Sequence, residues 1–307
     1  MVRLACLIGL CLSACWCVAC GPLASEDEGY GNYEFATSWV VPGFFIKQIA
    51  VGPDHRVWVA DMDGQVFVYS NSGDRIEEGA DFEGRDYGSV EGVAVSNDGQ
   101  SFISAGSTIH HFDAQGGGVS SWSCPSNVHH LDVTADGEVL AVVNLDIVRF
   151  NLDGEILSTV TPHFYILKFM VVAGDGTFFA QDTEEGDVET LVRFGAEGQT
   201  LGSWPLDSAG GGLDLGPEGR VFVGDQNGHK RQVGIYSQEG EFLEEIAPEY
   251  AAAAYLTYIT DVAVDEGTGD VYMSGLRDSN HIIVRMSSSA CDPRSDTGRC
   301  CSRQFDI

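Results

Sequence analysis

The chain has 307 residues and carries 46 acidic against 16 basic side chains, for a formal net charge of −30 at pH 7. Its 44% hydrophobic content is enough to bury a full core, which excludes wholesale disorder. Sixteen dispersed cations give no footprint for duplex nucleic acid, and the acidic surface repels anionic headgroups, so neither nucleic acid nor a bare lipid surface is an expected partner.

Met1-Val2-Arg3 is followed by an uncharged apolar run from Leu4 to Ala19. One cation before a short apolar stretch reads as a secretory signal, too short to cross a bilayer core of about 30 Å. Segment 1–20 is therefore expected to be a signal peptide. Small residues precede a cysteine in Leu12-Ser13-Ala14-Cys15 and again at Ala19-Cys20-Gly21. This resembles the lipobox of bacterial lipoproteins, and the resemblance implies lipidation of Cys15 or Cys20 and anchoring in the cell envelope, at the outer membrane or cell surface. Cys15 fits better by side chain and Cys20 by signal length. An ordinary signal with cysteine filler is the bland alternative. Cys17-x-x-Cys20 has the spacing of a redox pair but sits in a targeting segment, not a βαβ unit. Residues 21–33 read as an acidic flexible tether.

From there the sequence repeats itself. Short apolar phrases recur at Ile49-Ala50-Val51, Val93-Ala94-Val95, Leu131-Asp132-Val133, Met170-Val171-Val172, Leu213-Asp214-Leu215 and Val262-Ala263-Val264. Each is followed by a turn, such as Asp98-Gly99 or Asp136-Gly137, and by a second alternation such as Val57-Trp58-Val59. Asp-Gly supplies the positive φ of a tight hairpin. Third strands end in an aromatic residue with glycine four places on: Tyr69/Gly73, Phe112/Gly116, Phe150/Gly154, Phe194/Gly198 and Tyr236/Gly240. A fourth strand follows each of the first five copies, as in Val119-Ser120-Ser121-Trp122. The sixth copy lacks one, while Phe35-Ala36-Thr37-Ser38-Trp39 repeats the Ser-Trp signature at the other end.

Four short strands per unit of about 40 residues, six times over, predict an all-β six-bladed propeller over 34–290, its ring closed by an N-terminal strand in the last blade. The apolar period is two, which excludes helices except at Glu249 to Ala254. Ile49-Ala50-Val51-Gly52-Pro53-Asp54 through Asp61, the run from Val93 to Asp113, and Leu213 through Asp225 resemble NHL repeats. The resemblance implies this fold and leaves function open, since such propellers include binding scaffolds, lactonases and lyases. No Trp-Asp dipeptide occurs, so the WD40 sequence pattern is absent.

Loops between strands two and three, and between blades, vary in length, which marks their face as the binding side. Aromatic residues outside the strand pattern fall there: Phe44, Phe45, Phe82, Tyr87, Phe164, Tyr165, Tyr250, Tyr255 and Tyr258. Their apolar bodies and hydroxyl handles suit a protein or glycan partner. Residues just before the first strands are expected at the channel mouth: Lys47-Gln48, Glu91-Gly92, His129-His130, Lys168-Phe169, Gly211-Gly212 and Thr260-Asp261. Glu91, His129, His130 and Asp261 are the candidates for acid–base chemistry, with Glu91 and Asp261 for a divalent cation. Gluconolactonase-like relatives hold metal with carboxylates and amides at such positions. Only Glu91 and Asp261 match, and the asparagines are missing. The competing expectation is a solvated channel in which Lys47 and Lys168 pair with the acids.

No phosphate-cradling loop, Gly-x-Ser-x-Gly elbow or His-Glu-x-x-His helix is present, and no cofactor is expected. Asp61-Met62-Asp63-Gly64 starts like a calcium loop but lacks its distal acid, so a hairpin turn explains it. Cys124, Cys291, Cys300 and Cys301 make an even set in an exported chain, with two disulfides of open connectivity expected; 291–307 is a cysteine-bearing tail. The reading favours a lipid-anchored binding scaffold, with a metal-dependent hydrolase or lactonase at the channel mouth as the alternative.

Overall fold

A computed structural model describes residues 33–288 apart from 44, 77–86, 163–166, 185–187, 207–209, 226–232 and 247–255, and gives no side-chain account of 168, 183, 184 and 188. These residues form six antiparallel sheets. In each, the first strand is innermost: Ile46–Val51, Val90–Val95, Val128–Val133, Leu167–Val172, Gly210–Leu215 and Ile259–Val264. First strands of successive blades meet one another around a closed ring, the sixth touching the first. The six-bladed propeller expected from the repeat is the architecture observed.

Five sheets have four strands. Blade one has three, Ile46–Val51, Val57–Asp61 and Val66–Tyr69, plus an isolated bridge between Tyr69 and Arg75 where its fourth would start. The segment that follows lies outside the described residues.

The last blade is completed from the N-terminus. Strand Tyr33–Val40 pairs antiparallel with Asn280–Ser288, placing Trp39 opposite Ile283 and Tyr33 opposite Ser288. Pairing starts at Tyr33, within the segment read as tether. The tyrosine is held because its ring stands edge-on to Phe222 at 6.4 Å.

The core is divided among the seams. Six clusters of buried side chains each lie between two neighbouring blades, such as Phe102, Leu131 and Phe150 between blades two and three. Each such side chain contributes about 1.5–3 kcal/mol of apolar transfer, so stability resides between blades as much as within them.

The same contact explains the Ser-Trp and aromatic–glycine signatures. Trp39, Trp122 and Trp204 reach from a fourth strand onto the turn glycine of the next blade: Gly73, Gly154 and Gly240. At Gly154, φ is +80° and a Cβ would stand 2.5 Å from Trp122 Cγ, so neither the backbone nor the space admits another residue.

Cys124 carries a free thiol. It is buried beside Val128 in the seam between blades two and three, and burial pushes its pKa up to about 11. Among the described residues it forms no disulfide, and the other three candidates lie outside them. Cys15, Cys20, Cys291, Cys300, Cys301 and the helix-like stretch at 249–254 lie outside the described residues. Among the described residues no helix is long and apolar enough to cross a membrane.

Candidate functional site

An innermost strand has one edge without a ladder partner, and its backbone polar groups must be satisfied from elsewhere. Here side chains of neighbouring first strands do it. Each first strand has a register shift near its start, between Ile46 and Gln48 in blade one and between Ile259 and Asp261 in blade six. The shift brings Gln48, Gly92, His130, Phe169, Gly212 and Asp261 to one level of the channel.

Gln48 spans two seams from this level. Its Oε1 accepts the Val93 N–H at 3.2 Å and its Nε2 donates to Leu131 O at 2.9 Å. Gly92 makes the crossing possible, because a Cβ there would sit 2.8 Å from Gln48 Oε1. His130 Nε2–H donates to Met170 O at 2.8 Å. Burial lowers the His130 pKa to about 4, so the ring is neutral near pH 7.

Three carboxyls make the same kind of latch. Asp132 Oδ2 accepts the Val172 N–H at 2.6 Å, Asp214 Oδ2 that of Val264 at 2.6 Å, and Asp261 Oδ2 that of Ile49 at 2.7 Å. The last of these ties blade six to blade one. Burial pushes the Asp132 pKa up to about 7. Burial first, and then the charge of Asp132, raises Asp214 well above the carboxylate range, and burial does the same to Asp261.

Above this level lies a cavity of about 510 Å³. Its floor is Gln48, His130, Met170 and Asp261, and its rim is made by turns between first and second strands, at Pro53, Asn97, Ala135, Gly174 and Gly267. It therefore opens at the end opposite the variable loops. On the same rim, His55 stands where the matching turn of blade two has Gly99, and takes φ +65°. Its Nδ1 lies 2.7 Å from Asp265 Oδ2 across the seam between blades one and six.

The residues singled out from sequence do not converge on one centre. Glu91 faces Lys47 at 2.9 Å and accepts from Ser89 Oγ at 2.7 Å, as the solvated-channel expectation has it. His129 is exposed while His130 is buried, on opposite sides of their strand. Asp261 is spent on Ile49. Among the described residues no three His, Cys, Asp or Glu side chains are placed to hold one metal ion. Asp61 Oδ1 accepts the Gln65 N–H at 2.7 Å, as a hairpin turn requires.

Of the aromatic residues, Tyr258 stacks on Phe45 with ring centroids 6.5 Å apart, and Phe45 stands edge-on to His281 at 5.8 Å. Tyr87 packs against His110 at 5.1 Å. All five rings are half-buried on the variable-loop face. Phe82, Phe164, Tyr165, Tyr250 and Tyr255 lie outside the described residues, as does the Lys168 side chain.

Sequence reasoning missed Asp132, Asp214, Asp265 and His55. A signal was present: the middle residue of the repeated phrase is alanine at 50, 94 and 263 but aspartate at 132 and 214.

No protein family's model and no curated protein matches the sequence. Among solved structures, the chain is similar to the RRP9 WD40 repeats, with a TM-score of 0.59 and 11% identity over 83% of this chain and 99% of that one. It is similar to U3-55K to the same extent, with a TM-score of 0.60 and 11% identity over 83% of this chain and 99% of that one. At that identity the likeness is one of fold: the chain is a β-propeller, and WD40 propellers are its structural neighbours.

Proposed function

We propose that this propeller is a binding scaffold for a protein or glycan partner, docked on the face of its variable loops. The observation that carries the reading is the half-buried Phe45–Tyr258–His281 cluster on that face. Rings presented with one apolar side and a polar tip give binding energy at low entropic cost. The inward polar side chains support the same reading, because Gln48, His130 and Asp261 hold neighbouring blades together instead of converging on a reacting centre.

In this reading the scaffold works outside the cytoplasm on a lipid anchor, which the apolar run at Leu4–Ala19 and the cysteines at 15 and 20 support. The strand–turn–strand phrases support an NHL-like origin for the repeats. A photo-crosslinking residue at Tyr258 tests the docking face in intact cells. A discrete adduct from position 258, absent from position 135 on the opposite rim, is the expected result. No adduct at 258, or equal adducts from both rims, refutes the docking face.

A further inference from the structure

The strand that closes the ring also fixes where the chain enters the propeller. Tyr33 stands opposite Ser288, whose N–H donates to Asp270 Oδ1 at 3.2 Å beside the first hairpin turn of blade six. Gly267 of that turn belongs to the cavity rim. From there the strand runs to Val40, and the Val41 N–H donates to His281 O at 2.9 Å, where the His281 ring meets Phe45. The chain thus enters on the cavity face and climbs the outside of blade six to the docking face. Its last described residue, Ser288, is back on the cavity face.

The two candidate lipid carriers, Cys20 and Cys15, lie 13 and 18 residues before Tyr33. A tether of the kind read from the sequence has an r.m.s. span of about 20 Å from Cys20 and about 23 Å from Cys15. Strand Tyr33–Val40 alone, at about 3.4 Å per residue, rises about 25 Å, and the docking loops stand beyond it. To turn the docking face to the bilayer, the tether would have to double back over this whole height. Keeping the cavity face to the bilayer needs no such reach. Charge agrees with a stand-off on that side. Each of the six first hairpin turns presents one exposed acid: Asp54, Asp98, Asp136, Asp175, Glu218 and Glu266. Their repulsion from anionic headgroups fades beyond about 8 Å at physiological salt, well inside the span of the tether.

We infer that the short tether holds the anchored propeller with its cavity face towards the membrane and its variable-loop face away from it. This orientation rests on the lipid anchor proposed above and decides the side from which the docking partner comes. The Phe45–Tyr258 rings are presented to soluble macromolecules and withheld from the bilayer and from proteins embedded flush with it.

The test is energy transfer in vesicles. The full chain, lipidated in a bacterial host, is reconstituted in phosphatidylcholine vesicles that carry an acceptor dye on a fraction of the headgroups. A donor dye is attached through a clickable residue at Ala135 on the cavity rim or at Leu145 on the opposite face. Both positions are exposed and flank the second strand of blade three, Val139–Val143. Higher transfer from 135 than from 145 is expected. Inserting about 30 Gly and Ser residues after Gly31 raises the r.m.s. span to about 36 Å and is expected to bring the two signals together. Flotation with the vesicles, lost in a Cys15→Ala/Cys20→Ala variant, reports the anchor separately. Protein that floats but gives equal transfer from both positions, or more from 145, overturns the orientation and leaves the anchor standing. A difference unchanged by the longer tether overturns the tether as its cause. Protein that does not float overturns the anchor and the orientation together.

Discussion

Asp132 is neutral or charged depending on pH within the range where the protein is handled, and this has a measurable sign. Its folded pKa is raised to about 7 by burial, against about 3.9 for an unperturbed aspartate. The folded state thus holds the proton more tightly than the unfolded chain, and the stability this confers is present at acid pH and is lost as pH rises from about 4 through about 7. Asp132→Asn removes that titration while keeping a carbonyl for the Val172 N–H. The variant is expected to gain on wild type as pH rises from 4 to 8, by on the order of 1–2 kcal/mol, because Asp132 is not fully enclosed. Urea midpoints of both proteins across that range check it, and parallel curves would show that Asp132 does not titrate there. His130 opposes this trend within the wild type: its pKa, lowered to about 4, makes the fold lose stability as pH falls from about 6.5. Both proteins keep His130, so it drops out of the difference.

At the level of strands and turns, two glycines that look alike in sequence are expected to behave differently. Gly137 turns the first hairpin of blade three with φ +85°, and a Cβ there would meet only Leu152 Cδ1 at 3.7 Å. Gly154 has φ +80° but lies under Trp122, with a Cβ placed 2.5 Å from its Cγ. Gly137→Ala is expected to cost about 1 kcal/mol for the left-handed backbone alone, and Gly154→Ala about 3 kcal/mol, since the indole must also move. Equal losses in chemical denaturation would show that the Trp122 contact carries no weight. This difference also marks the limit of what the sequence disclosed. Strand, turn and blade number follow from alternation and from Asp-Gly, which are local. The inward level of Gln48, His130 and Asp261 was legible too, because they precede each apolar phrase at a fixed offset. The end of the channel that holds the cavity was not legible. It depends on Gly92 and Gly212 yielding space to side chains of other blades, at Gln48 Oε1 and Asp261 Oδ1. No local pattern reports a contact spanning 44 or more residues. His55 was hidden for the same reason, since its partner Asp265 is 210 residues away.

The whole ring depends on a single strand that crosses from one end of the chain to the other. Tyr33–Val40 covers the edge of Asn280–Ser288 in blade six, while its next residues run directly into blade one. It also brings Trp39 against Tyr69 at 5.9 Å and Tyr272 at 6.3 Å, so one indole joins blades six and one. Without it, Ile282, Ile283, Val284 and Met286, now nearly fully buried, would stand on an open edge. Open apolar edges pair with other chains. Side-chain ties remain at that seam, Asp261 to the Ile49 N–H and His55 to Asp265, but neither replaces a ladder or covers apolar surface. Deleting residues 1–32, read from sequence as signal and tether, is therefore expected to leave the unfolding temperature within about 2 °C of the full chain. Deleting 1–41 is expected to lower it by 10 °C or more, since losing Trp39 alone costs about 3–5 kcal/mol and each kcal/mol shifts a domain of this size by about 2–4 °C. Light scattering should then show oligomers for the shorter chain alone. A monomer of unchanged melting temperature after the longer deletion would mean that packing between blades one and six suffices to close the wheel without its N-terminal strand.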